Sequence, residues 1–296
     1  MIPTTTPATD TGSPAVAIHP AALETLKTEL AGAVLHITLN RPEVRNAMSL
    51  RMVTELRAVL ADAESGGAVR VIVLRGAGGH FCAGGDLKDM ASARMRAVAV
   101  PAPAGDAIDS PVADPVAQVS AQFGQLCVAF ASTPLAVVAV LEGTVMGGGF
   151  GLACVADVAL ASDTAVFRLP ETSLGVVPAQ IAPFLVERLG YSQAKRLAVT
   201  GGQLRAHDAL AIGLVHAVHD KAAMASALAV VLGNILACGP GALAATKLLI
   251  GKARLAPAVE LIQEAAAVFS HAAQGPEGQE GIAAFLQKRK PKWAAA

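Results

Sequence analysis

Two glycine-rich segments hold the backbone groups best suited to chemistry. They are Gly78 to Leu87, with the letters GGHFCAGGDL, and Gly143 to Gly151, with the letters GTVMGGGFG. Glycine lets a backbone turn sharply and lets a ligand approach its N–H groups, and a helix that opens at such a loop adds a favourable dipole. Two loops of this kind can direct donors at one oxygen, as in an oxyanion hole. Close packing of a strand against a helix is the simpler explanation of either loop taken alone.

Other catalytic patterns are missing from the sequence. Neither glycine-rich segment is followed by Gly-Lys-Ser/Thr, and neither has the GxGxxG order of a dinucleotide site. The cysteines show no CxxC pair, which argues against a disulfide framework and against a zinc site. The histidines lack the spacing or acidic partners of a catalytic triad, and Ser173 is not in a GxSxG turn. We therefore expect neither a metal site nor a nucleophilic hydrolase.

Glu171 is a candidate acid or base. It lies in Leu169-Pro170-Glu171-Thr172, directly after a strand-like stretch. An isolated glutamate beside a proline is most often a solvated loop residue. Burial in an apolar pocket would instead raise its pKa and let it act as an acid near neutral pH. Its role therefore depends on the fold around it.

Alternating strands and helices must position these groups. Short apolar or β-branched runs predict strands, and Ser49 resembles an N-cap for an amphipathic helix over 50–63. The predicted strands lie at 33–39, 69–75, 135–141, 155–162 and 165–168, and the chain is expected to be helical at 184–189, 192–200, 206–211, 222–238 and 242–290. Strands and helices in this order indicate an α/β fold with a parallel sheet.

Composition limits the partners and the location. The 296 residues include 23 Lys and Arg against 23 Asp and Glu, so no global charge favours nucleic acid or an anionic membrane. No charge-free run reaches the length of a membrane span without interruption by Gly or Pro. The first residues lack the basic start and the apolar core of a secretory signal. We expect a cytoplasmic protein that binds neither nucleic acid nor membrane.

Three regions are expected along the chain. Residues 1–28 form a flexible lead-in, 29–200 an α/β core, and 201–296 a helical C-terminal segment. Within the core, four prolines between residues 90 and 119 predict a mobile loop over about 91–118. A helix over 117–131 is expected to follow this loop.

Six segments, taken in order, resemble the crotonase family, the enoyl-CoA hydratases and isomerases. They are LNRPEVRNAMS at 39–49, FCAGGDL at 81–87, GTVMGGGFGLAC at 143–154, FRLPETSLGVVP at 167–178, TGGQLRAHDALAIGLVHAV at 200–218 and GIAAFLQKRKPKW at 281–293. The third and fourth segments, with the residues that follow them, look most like those of isohexenylglutaconyl-CoA hydratases. The resemblance implies a crotonase-like spiral of βαβ units with a C-terminal helical trimerisation segment, and a homotrimer or a dimer of trimers.

The resemblance also implies the site residues. The family holds the thioester oxygen of an acyl-CoA with two backbone N–H groups, which match Gly85 and Gly148 here. Of the family's two acid–base glutamates, the second matches Glu171, whereas the first falls at Gly151 and is therefore missing. Substrate or coenzyme A contacts are implied for Arg45, Ala83, Asp86, Leu87, Lys88, Phe285 and Lys288. No cofactor is expected beyond the coenzyme A of the substrate.

Gly151 leaves three functions open. Hydration is the activity we expect, with the role of the missing carboxylate taken by a distal carboxylate of a branched, glutaconyl-like substrate or by water that the second glycine-rich segment orders. A Δ3,Δ2-enoyl-CoA isomerase needs only one carboxylate, because Glu171 can remove a proton at one carbon and return it at another. A protein that binds acyl-CoA with little turnover is the third interpretation.

Overall fold

Within residues 22–99 and 114–294, which the computed structural model describes, a six-stranded sheet forms the centre of the protein. Its strands lie in the order β1 (Leu26–Ala31), β2 (Val34–Leu39), β3 (Val71–Gly76), β4 (Ala136–Leu141), β6 (Val158–Ser162) and β9 (Ala217–His219). β1 and β2 pair antiparallel, and the later pairs are parallel. A second, three-stranded sheet consists of β5 (Thr144–Met146), β7 (Val166–Arg168) and β8 (Gln203–Arg205).

Helices cover both faces of the main sheet. All six residues of β4 are buried: Val137, Ala139 and Leu141 belong to one apolar cluster, and Val138 and Val140 belong to another. A parallel sheet covered on both faces has strands of unbroken apolar sequence, as β4 does. The helices of the described part are α1 (Leu50–Ser65), α2 (Leu87–Ala99), α3 (Pro115–Ser132), α4 (Gly148–Val155), α5 (Ala182–Thr200), α6 (Ala206–Ala211), α7 (Met224–Ala237), α8 (Pro240–Ala253), α9 (Ala258–Gln274) and α10 (Pro276–Leu286).

The predicted α/β fold and its alternation of strand and helix are confirmed. Ser49 caps α1, since its hydroxyl accepts a hydrogen bond from the Met52 N–H at 3.2 Å. The strands predicted at 33–39, 69–75 and 135–141 correspond to β2, β3 and β4 with small shifts at their ends. The helices predicted at 184–189 and 192–200 are parts of one element, α5, which is interrupted at Gly190 (φ 72°).

The boundaries of the predicted N-terminal lead-in (1–28) and of the predicted α/β core (29–200) differ from those in the structure. β1 begins at Leu26, so the predicted lead-in over 1–28 is wrong at its end, and its first 21 residues lie outside the described residues. Glu55 explains the early start, because its carboxylate accepts hydrogen bonds from the backbone at Glu24 and Thr25. The core also continues past 200, since β9 pairs with β6 in the main sheet. Three-residue strands such as β9 are too short to show a periodic pattern.

Helices occupy both ends of the predicted mobile loop. α2 continues to Ala99 and α3 begins at Pro115. The predicted loop over 91–118 is therefore wrong for residues 91–99 and 115–118, which are helical, and residues 100–113 lie outside the described part. Pro115 occupies the first turn of α3, and the Asp114 carboxylate accepts from the Val116 N–H at 2.8 Å. Proline is well suited to this position, because the first N–H groups of a helix have no intrahelical acceptor. The same proline therefore begins a helix here instead of ending one.

The C-terminal helices present apolar side chains on their outer faces. Ile250 of α8, Phe269 of α9 and Leu286 of α10 are respectively 63%, 74% and 75% exposed. Among the described helices, none alone has the length and the apolar composition to cross a membrane. α7 and α8 have the necessary length and apolar composition only when they are taken together, and the chain bends by 98° between them.

Candidate active site

The two glycine-rich segments meet side by side. The Cys82 N–H donates to the Thr144 carbonyl at 3.0 Å, and the Met146 N–H donates to the Cys82 carbonyl at 2.9 Å. Next along the chain, Gly84 (φ 101°) approaches Gly147 (φ 47°) so closely that a Cβ on Gly147 would lie 3.4 Å from the Gly84 Cα. Both positive φ values and this close approach favour glycine over any other residue. The loops are therefore fixed against each other one residue before each predicted donor.

Gly85 and Gly148 line the same cavity, as predicted for the two donors. Gly148 is the first residue of α4, so its N–H has no acceptor within the helix. Within residues 22–99 and 114–294, neither N–H donates to a protein acceptor. The positive end of the α4 dipole lies at the same place. Two residues whose amides have no acceptor in the described part of the chain therefore line one cavity.

Glu171 lines this cavity together with the two glycines. β7 leads into Pro170 and a short 3-10 helix, Glu171–Leu174, which places the carboxyl group beside the second glycine-rich segment. A Cβ on Gly147 would lie 3.2 Å from Glu171 Oε1. Oε2 is buried and has no hydrogen-bond partner in the described part of the chain. Burial raises the pKa of Glu171 above its usual value, which favours the protonated form.

The cavity is small and largely apolar. Its volume is about 190 Å³, and its apolar lining includes Met48, Val53, Met90, Ala93, Val119 and Phe123. Four other polar side chains, from Asp86, Asp89, Ser120 and Gln180, also line it. Asp89 already accepts a hydrogen bond from the Leu50 N–H at 2.7 Å. The apolar lining explains why the nearby Glu171 carboxyl is poorly solvated.

Gly151 faces apolar side chains at the position of the family's first glutamate. A Cβ on Gly151 would overlap Ile181 Cγ2 and would lie 3.5 Å from Phe123 Cζ. Ile181 is 3% exposed, so its methyl group is held in a packed environment. The space for a larger side chain at position 151 is therefore already filled.

Asp86 lines the cavity, but its carboxylate is engaged within the protein. It forms an ion pair with Arg41 at 2.8 Å and accepts a hydrogen bond from the Lys88 N–H at 2.9 Å. Burial acts to raise the pKa of Asp86, but these two partners hold it below its usual value. Arg41 also donates to the Ala47 carbonyl at 2.7 Å. Asp86 thus fixes the first glycine-rich segment against the loop that contains Arg41.

The other residues implied as substrate contacts do not line the cavity in the described part of the chain. Those outside its lining are Arg45, Ala83, Leu87, Lys88, Phe285 and Lys288. Arg45 is exposed in a left-handed conformation (φ 49°), and its carbonyl accepts a hydrogen bond from the Ala83 N–H at 2.9 Å. Phe285 is 83% exposed at the end of α10, and Lys288 lies just beyond it. The structure therefore does not include these six residues in the lining of the cavity around Glu171.

Two features of the site were missed by sequence reasoning. Buried Asn46 connects its own loop to the first glycine-rich segment, since its amide donates to the carbonyls of Ala77 and His80 at 2.9 and 2.7 Å. The position of Asn46 within the segment LNRPEVRNAMS was the signal from which its role could have been predicted. Gln180 donates to Ser120 Oγ at 3.1 Å across 60 residues of sequence. No local pattern pointed to this pair.

Comparison with known proteins agrees with the fold. The family model for enoyl-CoA hydratase/isomerase matches residues 29–296. The structure is similar to that of an enoyl-CoA hydratase/isomerase from Marinobacter aquaeolei, with a TM-score of 0.84 and 48% identity over 91% of this chain and 99% of that chain. It is also similar to Pseudomonas aeruginosa AtuE, with a TM-score of 0.84 and 50% identity over 92% of this chain and 100% of that one. The mevalonyl-coenzyme A hydratase SIDH of Beauveria bassiana is 30% identical over 88% of this chain and 91% of its own length.

The fold and the neighbouring structures define an enzyme with the crotonase fold. The chain belongs to the enoyl-CoA hydratase/isomerase family. The predicted family is therefore confirmed.

Proposed function

We propose that the protein hydrates an α,β-unsaturated acyl-CoA through an enolate that the Gly85 and Gly148 N–H groups hold. The observation that carries this proposal is the shared cavity, in which two amides without protein acceptors and the buried Glu171 carboxyl line one small apolar space. In the proposed reaction, water adds to the β-carbon and the thioester oxygen takes up negative charge. Glu171 then gives its proton to the α-carbon.

The amides and the carboxyl group would supply most of the rate enhancement. Removing one donor from an oxyanion hole typically costs about 3–4 kcal/mol of transition-state stabilisation. A positioned acid or base contributes about 100- to 10,000-fold. The raised pKa of Glu171 suits the acid role, because more of the group is protonated at a given pH.

The substrate that we propose is branched and glutaconyl-like. The packed position of Gly151 leaves no carboxylate to activate the attacking water there. A distal carboxylate of the substrate, or a water held by the second glycine-rich segment, would accept that proton instead. The related mevalonyl-coenzyme A hydratase supports hydration as the reaction class but does not identify the substrate of this chain.

Isomerisation is the second candidate function, and the packing at Gly151 favours it. With Ile181 and Phe123 against this glycine, Oε2 of Glu171 is the one buried carboxyl oxygen of the described lining without a partner. One carboxylate suffices for a Δ3,Δ2 shift, because it can remove a proton at one carbon and return it at another. The oxyanion donors would hold the dienolate in the same way.

One set of assays separates the candidates. We would measure water addition to a β-branched glutaconyl-CoA and to crotonyl-CoA, and the double-bond shift of 3-hexenoyl-CoA, for the wild type and for Glu171→Gln. Hydration of the branched substrate that Glu171→Gln reduces by about 100-fold or more supports the proposal. A double-bond shift without hydration supports the isomerase instead. Tight acyl-CoA binding with no turnover, or trace activity that Glu171→Gln leaves unchanged, would identify a binding protein and contradict both enzymatic proposals.

Assembly and location are further parts of the proposal. The exposed apolar side chains of α8 to α10 support a homotrimer or a dimer of trimers. In such an assembly the exposed Phe285, and Lys288 close to it in sequence, would reach the coenzyme A bound to a neighbouring subunit. Light scattering during gel filtration measures this oligomeric state. The free thiols of Cys82, Cys127, Cys154 and Cys238 support a reducing, cytoplasmic environment.

A further inference from the structure

Gln180 forms the wall between the active-site cavity and a second groove. On one side of Gln180 lies the cavity that contains Glu171. On the other side lies a groove of about 610 Å³ between α3 and the start of α5. We call it the α3–α5 groove, and besides Gln180 it is lined by Ala121, Gly124, Gln125, Val128, Ala129, Pro183 and Phe184. A single side chain thus belongs to the lining of both spaces.

Little holds Gln180 in this place. Its Nε2 donates one hydrogen bond to Ser120 Oγ at 3.1 Å, and its Oε1 lies over Gly124. A Cβ at position 124 would overlap Oε1, so glycine is what makes room for the amide. Ser120 and Gly124 are four residues apart and lie on the same face of α3. The wall therefore consists of one flexible side chain that a neutral hydrogen bond keeps against the helix.

The two spaces differ in what they can hold. The active-site cavity, at about 190 Å³, is smaller than the ~300–1,000 Å³ usual for sites that enclose a drug-sized ligand. The α3–α5 groove is larger, and no charged side chain is found in its described lining. A mostly apolar groove that shares one flexible side chain with the cavity suits a hydrocarbon tail.

We propose that Gln180 sets the length of acyl chain that the enzyme accepts. A tail longer than the active-site cavity holds displaces Gln180 from Ser120 and continues into the α3–α5 groove. The inference rests on the proposed acyl-CoA activity of the same site, and it assigns a long, apolar acyl chain to the substrate. Gln180 is a specificity residue in this arrangement, since it contacts the tail and not the reacting carbons.

Binding measurements test this proposal without any need for turnover. We would measure the Kd of the full-length protein for butyryl-CoA and for decanoyl-CoA by titration calorimetry, and would compare the ratio of the two values between variants. Gln180→Ala removes the wall and should favour decanoyl-CoA by about two- to tenfold, because its tail no longer has to break the neutral hydrogen bond between Gln180 and Ser120. Adding Ala121→Trp to Gln180→Ala fills the groove and should cancel this gain. Ala61→Trp, on the exposed side of α1 and away from both spaces, is the matched control.

The outcomes are distinct from those of the catalytic assays. A ratio of Kd values that shifts in Gln180→Ala and returns to the wild-type value when Ala121→Trp is added supports the proposal. This holds even if the catalytic assays detect no hydration. A ratio that stays at the wild-type value in both variants, while both remain folded by circular dichroism, overturns it. A change of oligomeric state with Ala121→Trp at an unchanged ratio also overturns it, because the groove would then be covered by a second copy of the chain.

Discussion

The Cγ2 methyl of Ile181 occupies the space into which any side chain at Gly151 would extend. The two residues are 30 positions apart in sequence, and they meet because the start of α5 packs against α4. Position 151, which the resemblance assigns to the family's first glutamate, therefore has neither a carboxylate nor the space for one. In the described lining of the cavity, the one buried carboxyl oxygen without a partner is Oε2 of Glu171.

A double-mutant cycle tests the contact between Gly151 and Ile181. Gly151→Ala should lower the free energy of unfolding by about 1–3 kcal/mol, because the new methyl overlaps the isoleucine. Ile181→Ala should lower it by about 2–5 kcal/mol through the cavity that it leaves. The double variant should be more stable than the sum of these effects by about 0.5–3 kcal/mol, since the second change makes room for the first. Urea denaturation of the four proteins measures this coupling, and additive effects would contradict the contact.

The pH dependence of activity distinguishes the two proposed reactions. Burial places the pKa of Glu171 above its usual value of 4.5. A hydratase that uses Glu171 as an acid loses kcat/KM as pH rises through this pKa, because the proton to be donated is lost. An isomerase that uses the carboxylate as a base gains kcat/KM over the same interval. The profile of Glu171→Gln should lack this step, and its persistence in the variant would assign the step to another group.

Two glycines of the site should respond differently to alanine. Gly147 has a φ of 47°, and a Cβ there would lie 3.2 Å from Glu171 Oε1. We expect Gly147→Ala to lower stability by about 1–3 kcal/mol and to reduce kcat, since the backbone is strained and the carboxyl group is pushed aside. At Gly85 a Cβ meets only Met90 Sδ, at 3.9 Å, and the N–H is retained. Gly85→Ala should therefore lose much less activity, and equal losses in the two variants would contradict this account.

Local signals predicted those parts of the fold that depend on short stretches of sequence. The Ser49 cap and the apolar run of β4 are of this kind, and the order of the glycine-rich segments led to Gly85, Gly148 and Glu171. Long-range packing decided the rest. The contact of Ile181 with Gly151 and the hydrogen bond of Gln180 with Ser120 join segments that share no pattern. Pro115 was misinterpreted, because a proline at the start of a helix and a proline in a loop look alike until the Asp114 cap is recognised.

Glu55 should make stability depend on pH. Its side chain is only 6% exposed and accepts hydrogen bonds from Thr25 Oγ1 at 2.6 Å and from the backbone N–H groups of Glu24 and Thr25, each at 3.0 Å. Burial acts to raise the pKa of Glu55, but these donors and Arg51 together hold it below its usual value of 4.5. The carboxylate therefore stabilises the fold at pH values above 4.5, and this contribution is lost as pH falls through the lowered pKa.

The variant Glu55→Gln isolates this effect. It should lower the free energy of unfolding by about 1–3 kcal/mol at neutral pH, because buried donors at the start of β1 lose their charged acceptor. The difference from the wild type should shrink as the pH is lowered, since protonation removes the same charge from the wild type. Glu64→Gln, at an exposed position of the same helix, is the matched control and should change stability little. Urea denaturation of the three proteins across this pH range provides the measurement, and a constant difference between Glu55→Gln and the wild type would show that the charge of Glu55 is not what stabilises the junction of β1 and α1.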